Sequence, residues 1–97
     1  MKKKILIVSF NPTDSVPKFS KVLEEESEWL KILNSTWLIA TYQSAEQLYS
    51  KLAPHVDSVK DRIFVTEMVL ENYQGWLNRN AWDWIKQIKN LNSQQSD

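Results

Sequence analysis

The chain has 97 residues, enough for one compact core and too few for two full domains. Its 12 Lys and Arg balance 12 Asp and Glu, so no global positive field is present to hold nucleic acid non-specifically. With no Cys and one His, the chain excludes disulfides, thiolate metal sites, a cysteine nucleophile and a multi-histidine zinc site, while its five Trp argue against disorder.

The opening Met1-Lys2-Lys3-Lys4 followed by Ile5-Leu6-Ile7-Val8 has the outline of a signal peptide, but the apolar run is shorter than the ~7–15 residues such a region needs. Nothing approaches the ~18 apolar residues of a membrane span. A cytoplasmic protein with no membrane partner is the expectation. Lys4 to Phe10 is apolar on both faces and bounded by Asn11-Pro12, which predicts a central strand. Asp14-Ser15-Val16-Pro17 opens a first helix, with a polar cap candidate and Pro17 in the first turn. Val16, Phe19, Val22 and Leu23 share one face of it. Glu24, Glu25, Glu26 and Glu28 close it, and their charge opposes the macrodipole at that end.

Trp29–Leu33 and Thr36–Thr41 are β-prone runs separated by Asn34-Ser35, the pattern of a hairpin. Ser44-Ala45-Glu46-Gln47 has capping-box spacing, and Ala45, Leu48, Leu52 and Val56 continue as a second amphipathic helix, which Pro54 should kink or end near Ala53. Arg62 to Leu70 predicts a fourth strand, with Ile63, Val65 and Val69 against Phe64, Met68 and Leu70. After Gly75, the residues Ala81, Trp84, Ile85 and Ile88 mark a third helix capped by Asn78 or Asn80. Residues 1–90 form the domain in this reading, and residues 91–97 a polar tail, with fraying from Asn90 onward.

The order β-α-β-β-α-β plus a helix is that of an α+β, ferredoxin-like βαββαβ sandwich with an additional C-terminal helix. Right-handed crossovers put the first two helices on one sheet face. The strands nevertheless carry apolar residues on both faces: Leu6, Val8 and Phe10 on one side of the first strand, Ile5 and Ile7 on the other. The second face must be covered by the tryptophan-rich C-terminal helix, by a second copy, or by a helix packed at a dimer interface. Trp76, Trp82 and Trp84 are the interface candidates.

Several groups of residues could carry chemistry. Ser9, Asn11 and Asp14 gather at the end of the first strand, where a ligand or metal could sit, although the ordinary role of such a loop is to cap the next helix. His55 with Asp57 and Asp61 could pair a base with a carboxylate, but the spacing is not diagnostic. Glu67 lies among apolar strand neighbours and needs a partner or an outward position. Lys2, Lys3, Lys4, Lys18 and Lys21 could contact phosphates or merely solubilise an edge. Among Trp29, Trp37, Trp76, Trp82 and Trp84, Trp76 and Trp82 fall off the expected core stripe and are the best placed to stack a base. One glycine leaves no means of building a glycine-rich phosphate cradle.

The run Trp29-Leu30-Lys31-Ile32-Leu33-Asn34-Ser35-Thr36-Trp37 resembles a small bacterial family labelled SinR-like. Pro54-His55-Val56-Asp57, Asp61-Arg62-Ile63-Phe64-Val65, Gly75-Trp76-Leu77 and Ala81-Trp82-Asp83-Trp84 extend the resemblance over nearly the whole chain. That family is similar in fold to the small ferredoxin-like subunit of the CRISPR spacer-acquisition complex and to the virulence-associated endoribonuclease D toxins. The resemblance implies a homodimer with facing sheets, acting as a nucleic-acid scaffold or a metal-dependent nuclease. In those relatives an Asp ends the first strand and holds the metal. Here Ser9 or Phe10 stands at that position, and Asp14 lies several residues on. The expectation is therefore a dimeric, non-catalytic module that binds nucleic acid or a protein partner and needs no cofactor. The alternative is a weak Mg- or Mn-dependent nuclease using Asp14 with Ser9 or Asn11.

Overall fold

The computed structural model describes residues 2–11, 21–25, 28–56, 59 and 61–94. It is an α+β structure built on four strands, β1 (Lys4–Asn11), β2 (Trp29–Leu33), β3 (Thr36–Thr41) and β4 (Arg62–Glu67). They form one antiparallel sheet in the order β2-β3-β1-β4, so the first and third strands are central. β2 and β3 join through the two-residue Asn34-Ser35 turn, with Leu33 opposite Thr36. The Ser35 carbonyl also accepts from the Phe10 N–H at 2.8 Å, tying that turn to the end of β1.

Alternation along the central strands sorts the apolar side chains onto two faces. On the first, Leu6, Val8 and Phe10 of β1 and Trp37 and Ile39 of β3 are buried with Leu23, Leu48 and Leu52. Leu23 lies on the helical turn at residues 21–24, and Val22 packs beside it. The expected start of that helix, including Asp14, Val16, Pro17, Lys18 and Phe19, lies outside the described residues.

The Ala45–Leu52 helix covers the same face. It begins with the reciprocal pair its sequence promised: the Gln47 N–H donates to Ser44 Oγ at 3.1 Å, and the Ser44 N–H donates to Gln47 Oε1 at 2.9 Å. Pro54 does not kink this helix. The α-helix stops at Leu52 and the chain tightens into a 3-10 turn over Ala53–His55, where Pro54 sits in the first turn and its missing N–H costs no bond.

The second face carries its own core. Ile5, Leu38 and Ala40 are buried against Ile85 and Ile88 of the C-terminal helix, Arg79–Gln94. Of the ways to cover this face, the chain uses its own helix. Two expected boundaries move as a result. β4 ends at Glu67 rather than running to Leu70: after the Met68 N–H donates to the Ile5 carbonyl at 2.8 Å, the chain leaves the ladder, and Met68 and Leu70 pack onto the second core. The segment expected to fray from Asn90 is helical as far as Gln94, and Asn92 is buried. Asn92 grips the strand entry like a further β partner. The Lys3 N–H donates to its Oδ1 at 3.0 Å, and its Nδ2 donates to the Lys3 carbonyl at 2.8 Å.

Candidate functional site

The C-terminal helix covers only part of the second face. Ladder register sets Phe64 (β4), Ser9 (β1), Thr36 (β3) and Leu33 (β2) in one row across the sheet. This row lies toward the end of β1, beyond the row where Ile7 pairs with Leu38. Phe64 is 64% exposed and Leu33 56%, while Ser9 and Thr36 between them are half-buried. Asn11 and Arg62, paired in register at the end of the ladder, are both exposed.

The segment that follows β4 lines, through Met68 and Tyr73 to Leu77, a cleft that meets this row at Leu33. Tyr73 anchors it, with its ring stacked on Trp82 at 6.1 Å between centroids and Lys89 Nζ 5.4 Å from the Tyr73 ring centre. Three residues on, Trp76 is 100% exposed. An apolar cleft of about 360 Å³ opens there, lined by Ile7, Ile32, Leu33, Leu38, Met68, Trp76, Trp82 and Ile85 among others. A wider depression beside it is lined by Lys31, Leu33, Asn34, Trp76 and Leu77. Gly75 needs no glycine-only conformation, since its φ is not positive and an added Cβ would meet nothing within 4 Å. Backbone strain at Gly75 therefore plays no part in the exposure of Trp76.

The tryptophans divide accordingly. Trp82 and Trp84 are half-buried and pack against the second core, so Trp82 is part of the packing despite lying off the expected stripe. Trp37 is buried in the first core under Lys31, whose Nζ lies 5.1 Å from its ring centre. Trp76 alone of these is wholly in solvent.

The basic residues do not make a uniform cationic surface. Lys3 pairs with Glu28 and lies 5.6 Å from the centre of the Tyr42 ring. Lys2, Lys3 and Lys4 share a cleft of about 480 Å³ with Glu67 and Glu71, and Glu67 is exposed at the end of its strand. Lys21 is exposed on the helical turn at residues 21–24, and Lys18 lies outside the described residues. A phosphate approaching Lys2–Lys4 would meet carboxylates interleaved with the ammonium groups, which weakens the local field.

Ser9 and Asn11 stand on the second face of β1 in register with Phe64 and Arg62, and Asp14 lies outside the described residues. The open row and the pair at its end thus offer a hydroxyl pair, an amide, a guanidinium and an aromatic ring, but no carboxylate among the described residues. His55 is half-buried in the 3-10 turn, Asp61 is buried, and Asp57 lies outside the described residues. No group of three or more His, Cys, Asp or Glu able to hold a metal occurs among the described residues. No helix among them is long and apolar enough to cross a membrane.

Comparison with protein-family models, curated proteins and solved structures finds no match for this chain.

Proposed function

We propose that the chain is a non-catalytic binding module of the ferredoxin-like class that docks an apolar segment of a protein partner in the cleft beside Trp76. The observation that carries this is the full exposure of Trp76 beside an apolar cleft whose other walls come from the second face of the sheet and from Trp82 and Ile85 of the C-terminal helix. A fully exposed indole beside an apolar cleft is a large apolar surface available for contact. Tryptophan is the residue type most enriched among those that dominate interface energy. The interleaving of Lys2–Lys4 with Glu67 and Glu71 supports a protein partner over nucleic acid. The SinR-like resemblance, with Ser9 or Phe10 where the nuclease relatives carry Asp, supports binding without hydrolysis.

A displayed library of random peptides, selected on the immobilised chain, tests this reading. Enriched peptides should carry an aromatic or leucine anchor. Their affinity should fall at least about tenfold in Trp76→Ala, a loss of the size expected for a central interface tryptophan. The same variant should unfold at an unchanged denaturant midpoint, because Trp76 touches no core. Failure to enrich such peptides, or binding indifferent to Trp76→Ala, would overturn the docking site. Labelled DNA and RNA incubated with Mg²⁺, Mn²⁺ or EDTA should remain intact and unshifted. Metal-dependent cleavage would contradict the non-catalytic reading, and a salt-sensitive shift would replace the protein partner with nucleic acid.

A further inference from the structure

We infer that Asn34 is a site of spontaneous, backbone-assisted deamidation, at which the chain acquires a carboxylate on the rim of the depression beside Trp76. The modification stands independently of the docking reading, and only its effect on a docked segment rests on that reading.

The pair Asn-Ser occurs twice in the sequence, at Asn34-Ser35 and at Asn92-Ser93. A small residue after asparagine leaves its backbone nitrogen accessible to the asparagine side chain, so the residues alone rank the two sites equally. The structure separates them. Asn34 is exposed, in the two-residue turn between β2 and β3. Among the described residues, no hydrogen bond holds the Asn34 side-chain amide or the Ser35 N–H, and only the Ser35 carbonyl is engaged, by the Phe10 N–H. Asn92 is 9% exposed, and its Oδ1 and Nδ2 are both bonded to the Lys3 backbone. Ser93 continues the same α-helix, whose N–H groups point along the axis to carbonyls one turn back. Asn80, which also precedes a small residue, is blocked in another way: the Ala81 N–H donates to the Asn78 carbonyl at 3.0 Å. An unbonded amide and an unbonded N–H on a solvated turn can meet, whereas groups fixed by hydrogen bonds must first be released.

The Ser35 nitrogen is the nucleophile. It adds to Asn34 Cγ, a C–N bond closes a cyclic imide, and the bond from Cγ to the amide nitrogen breaks. Ammonia leaves with the proton that the Ser35 nitrogen gave up. Water then opens the imide at either carbonyl, and nothing is oxidised or reduced. One opening gives aspartate. The other routes the chain through the side-chain carbonyl and adds a methylene to the backbone, giving isoaspartate.

Either product puts a negative charge among Lys31, Leu33, Trp76 and Leu77, which line the depression together with Asn34. The isoaspartyl form also lengthens a turn that Leu33 and Thr36 close with two residues, which works against the bond from the Phe10 N–H to the Ser35 carbonyl.

The full chain, held at mildly alkaline pH either folded or in guanidinium chloride, tests this. Peptide mapping by mass spectrometry follows the replacement of each amide by a carboxylate, and enzymatic methylation of isoaspartate reports the imide route. In the folded chain Asn34 should convert at least about tenfold faster than Asn92, whose reaction requires local opening of the helix end. In denaturant the two rates should converge, because the dipeptides are identical. Asn34→Gln should hold its amide over the same interval. Asn34 persisting in the folded chain as long as Asn92 overturns the proposal. So does conversion at Asn34 without isoaspartate, which would mean direct hydrolysis with no part for the Ser35 nitrogen.

Discussion

Ile85→Asp is expected to detach the C-terminal helix from the sheet and expose the apolar face beneath it. Ile85 is 1% exposed and packs in one cluster with Ile5, Leu38, Ala40 and Ile88. Truncating such a side chain to alanine costs about 2–5 kcal/mol through lost transfer energy and cavity formation. A carboxylate at the same point must also be desolvated among apolar side chains. The sum is comparable to the ~5–15 kcal/mol total stability of an ordinary domain. The variant should bind a hydrophobic dye, lose its sharp denaturation transition and self-associate. Lys86→Asp, one residue along on the exposed side, should change the midpoint little. Equal behaviour of the two variants would mean that the helix does not lie on the sheet.

The second large effect belongs to Asn92→Ala, which should destabilise the chain by about 1–3 kcal/mol, read from the shift in urea midpoint at unchanged slope. The asparagine amide satisfies both backbone groups of Lys3, and its removal leaves them without those bonds at the entry to β1. Asn92→Leu should be no better, because matching the volume does not replace a donor and an acceptor. Hydrogen exchange at the Lys3 amide should accelerate in either variant, separating loss of this clamp from general weakening of the helix. Unchanged stability in both variants would make Asn92 a bystander.

Much of this architecture is legible in the residues. Strand and helix positions follow from alternation and from local signals such as Asn34-Ser35, Ser44 with Gln47, and Pro54. The legible information is local in each case: a turn residue, a cap, a breaker. Three features escaped because their causes are tertiary. Met68 and Leu70 have the same apolar character as the residues of β4, and only the presence of a helix above the sheet draws them out of the ladder. Asn92 looks like part of a polar tail, yet it continues the buried series of Ala81, Ile85 and Ile88 at helical spacing, a signal hidden by its polarity. The charges around Lys2–Lys4 cancel through Glu28, Glu67 and Glu71, which are distant in sequence.

The candidate site was half visible. Trp76 stands out in the sequence because it precedes the helix and misses its stripe, and the structure leaves it exposed. Phe64 and Leu33 did not stand out. Each sits in a strand of apolar residues, and which end of the second face stays open depends on where the helix stops covering it. Periodicity could not decide between a helix from the same chain and one from a neighbour either, since an apolar stripe fits both equally well.

That last distinction matters most, because the part of the second face that lies under the chain's own helix is unavailable to a face-to-face dimer. Isotope-filtered nuclear Overhauser spectroscopy on an equal mixture of labelled and unlabelled chain measures it directly. Methyl contacts joining Ile85 and Ile88 to Ile5, Leu38 and Ala40 should appear in the uniformly labelled sample and vanish in the filtered spectrum of the mixture. The same contacts persisting between labelled and unlabelled chains would show that the helix is exchanged between copies, and would contradict the closed fold described here.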